Sequence, residues 1–519
     1  MNIIIKSLKL HNFKKFKDFE IKFNDKYNVI IGDNESGKST ILQAIDLCLS
    51  GSNYKTESIG ISELFNTETI DSFLSGTKEY DKIPIVSIEI TTNDFGKYEY
   101  EGKKNSYNKN LYGVKMLVIP NDEYSEEIKE VLSKSGCHFP FEYFKIEFRT
   151  YADNAFNTYN KKIKHYFIDN TTINSETSMK EFTSNMYKAA TDLRLRQKHL
   201  SEFRSIKQKF ENEVLGDFNQ DKDYKFKFHK SQKFDLENNL AIYDQGVSIW
   251  NKGKGKQTVI KTELAIDKKS ENVDILLLEE PENHLSSNNM LKMIDNILNS
   301  VDQQMIITTH SNLILTRLEL KNAYFIHTNN CIAFSSLDDE TVNFFNKQTN
   351  SNLLQFILSN RAILIEGASE YILIETFYEK ITGKQSFSEG TSIISINGLS
   401  FLRYLEIAEK LGIKVAVITD NDGNYAKNVQ NKYSKYSLIN NIGVFSDIDN
   451  VNSTFEIGLY NNNKIAIDNS TLTTTKDKIS YMINNKSESA VRLLKMLEAK
   501  EIELVIPSYI KDAIEWIKK

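Results

Sequence analysis

The chain has 519 residues, 40% of them hydrophobic and 26% charged, with a formal net charge of -5. A chain of this length holds roughly two to four domains with sizeable cores. No apolar run approaches a membrane span and the N-terminus lacks the shape of a secretion signal, so a reducing cytoplasm is the expected setting. Cys48, Cys137 and Cys331 are scattered without ligand spacing, which argues against a zinc site and against a disulfide framework. The acidic balance gives no global nucleic-acid signature, so such a partner would be held by local basic patches or by metal ions.

In chain order, IIIKSLKLHNF (3–13) and FEIKFND (19–25) alternate apolar and polar residues and predict strands. YNVIIG (27–32) predicts a buried strand feeding the glycine-rich loop GDNESGKST, Gly32 to Thr40, before the helical pattern ILQAIDLCL. The spacing G-x-x-x-x-G-K-S/T between strand and helix predicts a nucleotide site. Backbone N–H groups from Asn34 onward, Gly37 among them, and the helix start at Thr40 would cradle phosphates. Lys38 would reach the β/γ oxygens and the Ser39 hydroxyl would meet Mg²⁺.

IPIVSIEITTN (83–93) and YEYEGKKN (98–105) read as further strands, whereas residues 124–150 give no clear pattern. From Asn154 to Lys233 the pattern is mostly helical, and residues 179–215 suit one extended helix or a helical hairpin, with a dimerisation arm as the sharper reading. Two apolar strands come next. VDILLLEEPENHLS delivers Glu279 and Glu280 at its end, and QQMIITTHS delivers His310. Behind a phosphate loop, such strands bring one carboxylate to Mg²⁺, a second to the attacking water, and a sensor to the γ-phosphate.

Two later apolar runs end in acids: AILIEGASE at Glu366, with Glu370 one helical turn on, and VAVITDNDG at Asp420 and Asp422. Both predict buried parallel strands with carboxylates at the C-terminal edge, where open α/β sheets place their sites. In extended chain the Asp420 and Asp422 carboxylates would point the same way. Hard oxygen ligands on one edge suit Mg²⁺ or Mn²⁺. Asp-Asn-Asp-Gly is also good turn chemistry.

This pair of runs resembles a Toprim domain. LHNFKKFKDFEIKF, the phosphate loop, KGKGKQT (252–258), LLLEEPENHL and TTHS, in this order, resemble the ABC-type ATPase core of the SMC and RecF group. An ATPase half followed by a Toprim domain is the layout of the OLD (overcoming lysogenisation defect) nucleases, and the Gabija-type anti-phage nuclease subunits are similar in layout. The resemblance implies an α/β chain divided into residues 1–150 with the phosphate loop, a helical insertion at 151–235, the rest of the ATPase at 236–345 and the Toprim domain at 346–519. It implies a signature segment at Gly253, Gly255 and Gln257, Glu279 as metal-binding acid, Glu280 as catalytic glutamate and His310 as switch histidine. In the Toprim part it implies Glu366 as metal ligand or base, Asp420 and Asp422 as the acidic pair, Glu456 as a further metal ligand and Lys486 as catalytic lysine, with Lys495 as fallback.

The function so implied is metal-dependent DNA cleavage, with Mg²⁺ or Mn²⁺ and ATP as cofactors and anti-phage defence as setting. The signature segment works across two subunits, so a homodimer or higher oligomer is expected, and a helicase or reverse transcriptase encoded nearby is the expected partner. Lys161, Lys162 and Lys164, or Arg194, Arg196 and Arg204, are candidates to hold the flanking backbone. Whether ATP is hydrolysed, and whether it restrains or promotes cleavage, is left open by the residues. Competing expectations are a partner-dependent defence effector acting on RNA, an SMC/RecF-like repair ATPase, and a Toprim primase or topoisomerase. The last lacks an evident strand-cleaving tyrosine domain or zinc-binding cysteines, and the repair ATPase lacks long heptad arms.

Overall fold

The buried apolar runs of the sequence build three large sheets in the computed structural model, which describes residues 2–134, 136–169, 176–220, 225–228, 236–266, 273–299, 303–327, 329–348, 352–396 and 400–519. The chain divides into two units, Met1–His310 with Asn322–Phe334, and Ser311–Lys321 with Ser335–Lys519. Among the described residues no helix is long and apolar enough to cross a membrane.

In the first unit, Ile5–Phe13 pairs antiparallel with Phe16–Lys22 on one side and Val86–Thr92 on the other. Leu111–Pro120 and Phe144–Thr150 extend that sheet. The second sheet runs Asn330–Ala333, Ala323–His327, Tyr27–Gly32, Gln304–Thr308, Ile275–Glu279, His165–Asp169, parallel except for its first strand. Helix Lys38–Ser50 packs against strands of both sheets. Its Ile41, Leu42, Ile45, Leu47 and Leu49 are all buried, as expected of a helix apolar on most faces. Burial of each such side chain stabilises by about 1.5–3 kcal/mol, and together they fix the phosphate loop at the helix start.

Four local readings are corrected or resolved. YEYEGKKN is a short 3-10 turn, Tyr98–Tyr100, with only Glu101–Gly102 paired as strand, because Tyr100 is drawn into the core instead of alternating. The unclear stretch holds helix Ser125–Ser133 and strand Phe144–Thr150. Of the two readings of 179–215, one extended helix or a helical hairpin, the single helix is excluded, because the stretch is broken into Glu176–Ala190 and Leu193–Phe210. Asp192 stops the first and caps the second, accepting from Leu195 N at 2.7 Å, and Tyr187 Oη meets His199 Nδ1 at 2.8 Å across the break. The start of that helical reading, 154–169, holds no helix and ends in the strand His165–Asp169, which pairs with Ile275–Glu279; its stretches 170–175, 221–224 and 229–233 lie outside the described residues.

The second unit centres on four parallel strands in the order Thr391–Ser395, Arg361–Ile365, Lys414–Ile418, Ile442–Phe445. Helices Ala368–Thr382, Lys486–Glu498 and Ser508–Lys518 contribute Leu373, Phe377, Leu493, Ile510 and Ile514 to its core.

Candidate functional site

Each parallel sheet presents one polar edge at the C-terminal ends of its strands. At the first, Gly37 begins helix Lys38–Ser50 with φ 105°, and a Cβ there would meet Phe16 Cζ at 2.4 Å. Only glycine fits both demands. Asn34, Gly37, Lys38, Ser39, Thr40 and Glu280 line one pocket together with Lys15 and Glu35, two residues within the quoted motifs to which the sequence reading gave no role. Lys15 donates to the Glu35 carbonyl. Its signal is a basic residue in the hairpin beside Phe16, the ring that packs on Gly37.

Lys38 Nζ donates to the carbonyls of Gly32 and Asp33 at 2.8 and 2.9 Å. Burial lowers its pKa, against the pull of Glu280, Asp33, Glu282 and Glu279. Glu279 is buried and bonded to Ser39; burial raises its pKa, and Asp169 and Glu280 raise it further. Asp169 is another residue missed by sequence reasoning. It ends His165–Asp169 and pairs in register with Glu279, a relation set by strand order and invisible in local pattern.

Glu280 follows with φ 41°, its Oε2 accepting from Asn283 Nδ2 at 2.9 Å. His310 Nε2 stands 3.6 Å from Glu280 Oε1, and burial, with Lys38, lowers its pKa against the pull of Glu280 and Asp33. Gly253, Gly255 and Gln257 do not line the pocket. They start helix Lys254–Ile266, where Gln257 Nε2 donates to Lys252 O at 2.8 Å and a Cβ on Gly255 would meet His284 O at 2.1 Å. Ser39 and Glu279 form an oxygen donor set that fits the Mg²⁺ of a nucleotide.

At the second edge, Glu366 directly follows strand Arg361–Ile365 and accepts from Thr419 Oγ1 at 2.7 Å. Glu370 is buried in the first turn of helix Ala368–Thr382. Glu456 is buried in the first turn of helix Phe455–Asn462, accepting from Ser369 Oγ at 3.0 Å and facing Lys486 Nζ at 3.3 Å. Burial pushes Asp420 up to about 8, and Glu366, Glu370 and Glu456 push the same way. Burial likewise takes Glu370 up to about 7, with Glu456 and Glu366 adding to it. Lys486 is raised despite the opposing effect of burial, chiefly by Glu456. Lys495 is exposed in the last turn of its helix.

Asp422 departs from the expected geometry. The strand stops at Ile418, and Asp422 is exposed in a turn with φ 48°, its N–H on Ser453 O at 3.1 Å. The cause is Asn421, which is buried, donates to the carbonyls of Asp447 and Asp449 at 2.8 and 3.0 Å, and accepts from Gly423 N at 2.8 Å. The chain is therefore not extended from Asp420 to Asp422 and the two carboxylates do not share one direction. Tyr509, missed in the sequence, is a further group at this edge. Burial, then Asp420, Glu370 and Asp447, push its phenol well above the usual range.

Among the described residues no three such side chains stand at coordinating distance. The donor set nonetheless fits a hard divalent cation: it is all carboxylate, mutually repelling, and held by hydroxyl donors that leave oxygens free. Lys161, a candidate backbone contact, is corrected. Its ammonium donates to Leu49 O at 3.1 Å, and burial brings it down to about 8, so it is spent inside the fold. Lys162, Lys164, Arg194 and Arg204 are exposed, and Arg196 is half-buried.

The fold and its two edges define a P-loop ATPase and a Toprim domain in one chain. Residues 3–315 match the AAA ATPase domain family, and residues 357–422 match the Toprim domain of overcoming-lysogenization-defect-like proteins. The endonuclease GajA of Bacillus cereus (strain VD045) is 22% identical over 465 residues, 83% of this chain and 77% of that protein. The DNA replication and repair protein RecF of Ruminiclostridium cellulolyticum is 43% identical over 54 residues, 10% of this chain, so the match spans only 14% of that relative's length. The C-terminal region of the Burkholderia pseudomallei OLD protein is a structural neighbour with TM-score 0.24 and 20% identity, covering 31% of this chain and 98% of that one. The chain belongs to the AAA ATPase domain family, and behind that domain it carries a segment that matches an OLD-like Toprim domain.

Proposed function

We propose that the protein is a metal-dependent DNA endonuclease, regulated by its nucleotide-binding unit and acting in the cytoplasm in anti-phage defence. The observation that carries this reading is the gathering of Glu366, Glu370, Asp420, Glu456 and Lys486 at one sheet edge. The match to GajA along most of the chain supports the substrate class. Glu366, Glu370, Asp420 and Glu456 would hold Mg²⁺ or Mn²⁺, with Asp422 at the rim. Divalent ions there supply a hydroxide-like water and stabilise the leaving oxygen.

The chain's own residues do the rest. Ser369 and Thr419 fix the rotamers of Glu456 and Glu366, and Lys486 brings positive charge to where the scissile phosphate gains negative charge. In the ATPase unit, Lys38, Ser39, Thr40, Asn34 and Gly37 would hold the triphosphate, Glu279 the Mg²⁺ shell, and Glu280 with His310 the attacking water. Gly253, Gly255 and Gln257 would serve a second subunit's nucleotide, giving at least a homodimer. A helicase or reverse transcriptase is the partner class.

The test is cleavage of plasmid DNA, linear DNA and RNA by the purified protein with Mg²⁺ or Mn²⁺, with and without ATP, beside an Asp420→Ala, Asp422→Ala variant. Cutting by the parent alone supports the reading, and the ATP lanes give the sign of regulation. Equal cutting by both sinks it, and cutting of RNA but not DNA replaces the substrate.

A further inference from the structure

Glu282 lies in the ATPase unit, two residues beyond Glu280, and takes no direct part in the proposed chemistry. The residue is half-buried, its Oε2 is shielded from solvent, and its other oxygen reaches the segment that carries His310. That oxygen, Oε1, accepts from two donors there: Thr309 Oγ1 at 2.8 Å and the His310 backbone N–H at 2.6 Å. From the other direction, Glu280 N–H donates to Thr308 O at 3.0 Å. The two strand ends are thus cross-linked on both sides of the Glu280–His310 pair, whose own side chains stand 3.6 Å apart.

Glu280 also holds a left-handed backbone, φ 41°, which a non-glycine residue keeps only where its surroundings over-determine it. The turn after it is closed by Asn283 N on Glu280 O and Leu285 N on Glu282 O, both at 3.0 Å. Within the Glu280–Asn283 turn, Glu282 is the residue whose side chain anchors to the His310 segment.

We infer that Glu282 is a positioning residue for ATP hydrolysis. It sets the distance and angle between the carboxylate of Glu280 and the ring of His310 by clamping the loop of one to the backbone of the other. This rests on the reading of the unit as nucleotide-hydrolysing. A charge-assisted bond from a carboxylate to a backbone N–H is short and directional, so it fixes the His310 segment more tightly than packing alone. Catalytic pairs lose rate steeply when displaced, while substrate binding by a distant phosphate loop does not.

The experiment compares the full-length parent, Glu282→Ala and Glu282→Gln in steady-state ATP hydrolysis and in binding of a fluorescent ATP analogue. The histidines carry ¹³C at Cε1, and the His310 resonance is assigned by its loss in His310→Gln. Glu282→Ala is expected to lower kcat roughly 10- to 100-fold, with KM and analogue affinity within about threefold of the parent, and to move the His310 resonance. Glu282→Gln, whose carbonyl can accept from the same two donors, should restore most of both. Parental turnover and an unmoved His310 resonance in Glu282→Ala would overturn the inference, as would a loss confined to binding. If the parent itself hydrolyses no ATP, the hydrolysis reading falls, and the resonance comparison alone decides whether Glu282 places His310.

Discussion

Lys486 Nζ lies 3.3 Å from Glu456 Oε2, and these two residues come from helices whose sequence signals were the weakest of the Toprim part. Glu456 is buried while Lys486 is about half exposed, so the ammonium sits where a phosphate can reach it without leaving its carboxylate. Lys486→Met should lower DNA cleavage about 100-fold or more; it should also lower the melting temperature in chelator, since it strips a buried carboxylate of its cation, so cleavage is compared well below both melting temperatures. Lys495→Met, at an exposed position on the same helix, should cut as the parent does. Single-turnover cleavage with circular dichroism melts checks both.

The carboxylate edge makes a pH prediction. Asp420 and Glu370 are raised to about 8 and about 7, above their unfolded values. The folded state therefore binds more protons than the unfolded one from about pH 4 to about pH 8. Without divalent cation, stability should fall as pH rises through that window. Added Mg²⁺ or Mn²⁺ should reverse the trend and release protons, most near pH 6–7. Thermal melts in chelator and in Mn²⁺, from pH 5 to 8.5, read the sign directly.

A different group predicts acid lability in the ATPase unit. His165 is buried, which takes its pKa down to about 4, while the hydrogen bond to Asp46 at 3.0 Å opposes this. For Asp46, burial raises the carboxyl, but bonds to His165 and Lys55 outweigh it and bring the value to about 2. The unfolded chain binds more protons than the fold between about pH 6.5 and 4 at His165, and below that at Asp46. Stability is thus lost as pH falls, by roughly 3 kcal/mol from His165 alone. His165→Gln should flatten the upper part of this slope in chemical denaturation.

Strand ends and their acids were legible because parallel strands buried on both faces read as continuous apolar runs, and the first polar residues after such a run stand at the sheet edge. Glu366, Asp420, Glu279 and His310 were found this way. Asp169 was not, because His165–Asp169 alternates weakly and owes its place to pairing with Ile275–Glu279, a partner 110 positions on. Lys15 and Tyr509 escaped for the same reason: each reaches its edge through tertiary packing. The direction of Asp422 was misjudged because Asn421 spends its amide on Asp447 and Asp449 carbonyls, which folds the acidic pair into a turn.

Asn421 therefore carries its own prediction. Asn421→Ala removes the donor for two part-buried bonds to the Asp447 and Asp449 carbonyls and should destabilise the second unit by about 1–2 kcal/mol. It should also loosen the link between Asp420 and the segment leading to Glu456, so cleavage should fall further than stability explains. Cleavage measured well below the shifted melting temperature separates the two effects.

The most direct test of the metal-centre account is single-turnover cleavage of one defined DNA duplex by the parent and by Glu366→Gln across Mn²⁺ concentrations. The substituted amide keeps the side chain's shape and can still accept from Thr419, but it carries no charge. The account predicts a loss of about 1,000-fold or more at saturating Mn²⁺, 5′-phosphate ends in the parent's products, and a melting temperature in chelator no lower than the parent's, because one of the mutually repelling charges is gone. Cleavage by Glu366→Gln at the parent's rate, with the same dependence on Mn²⁺, would contradict it.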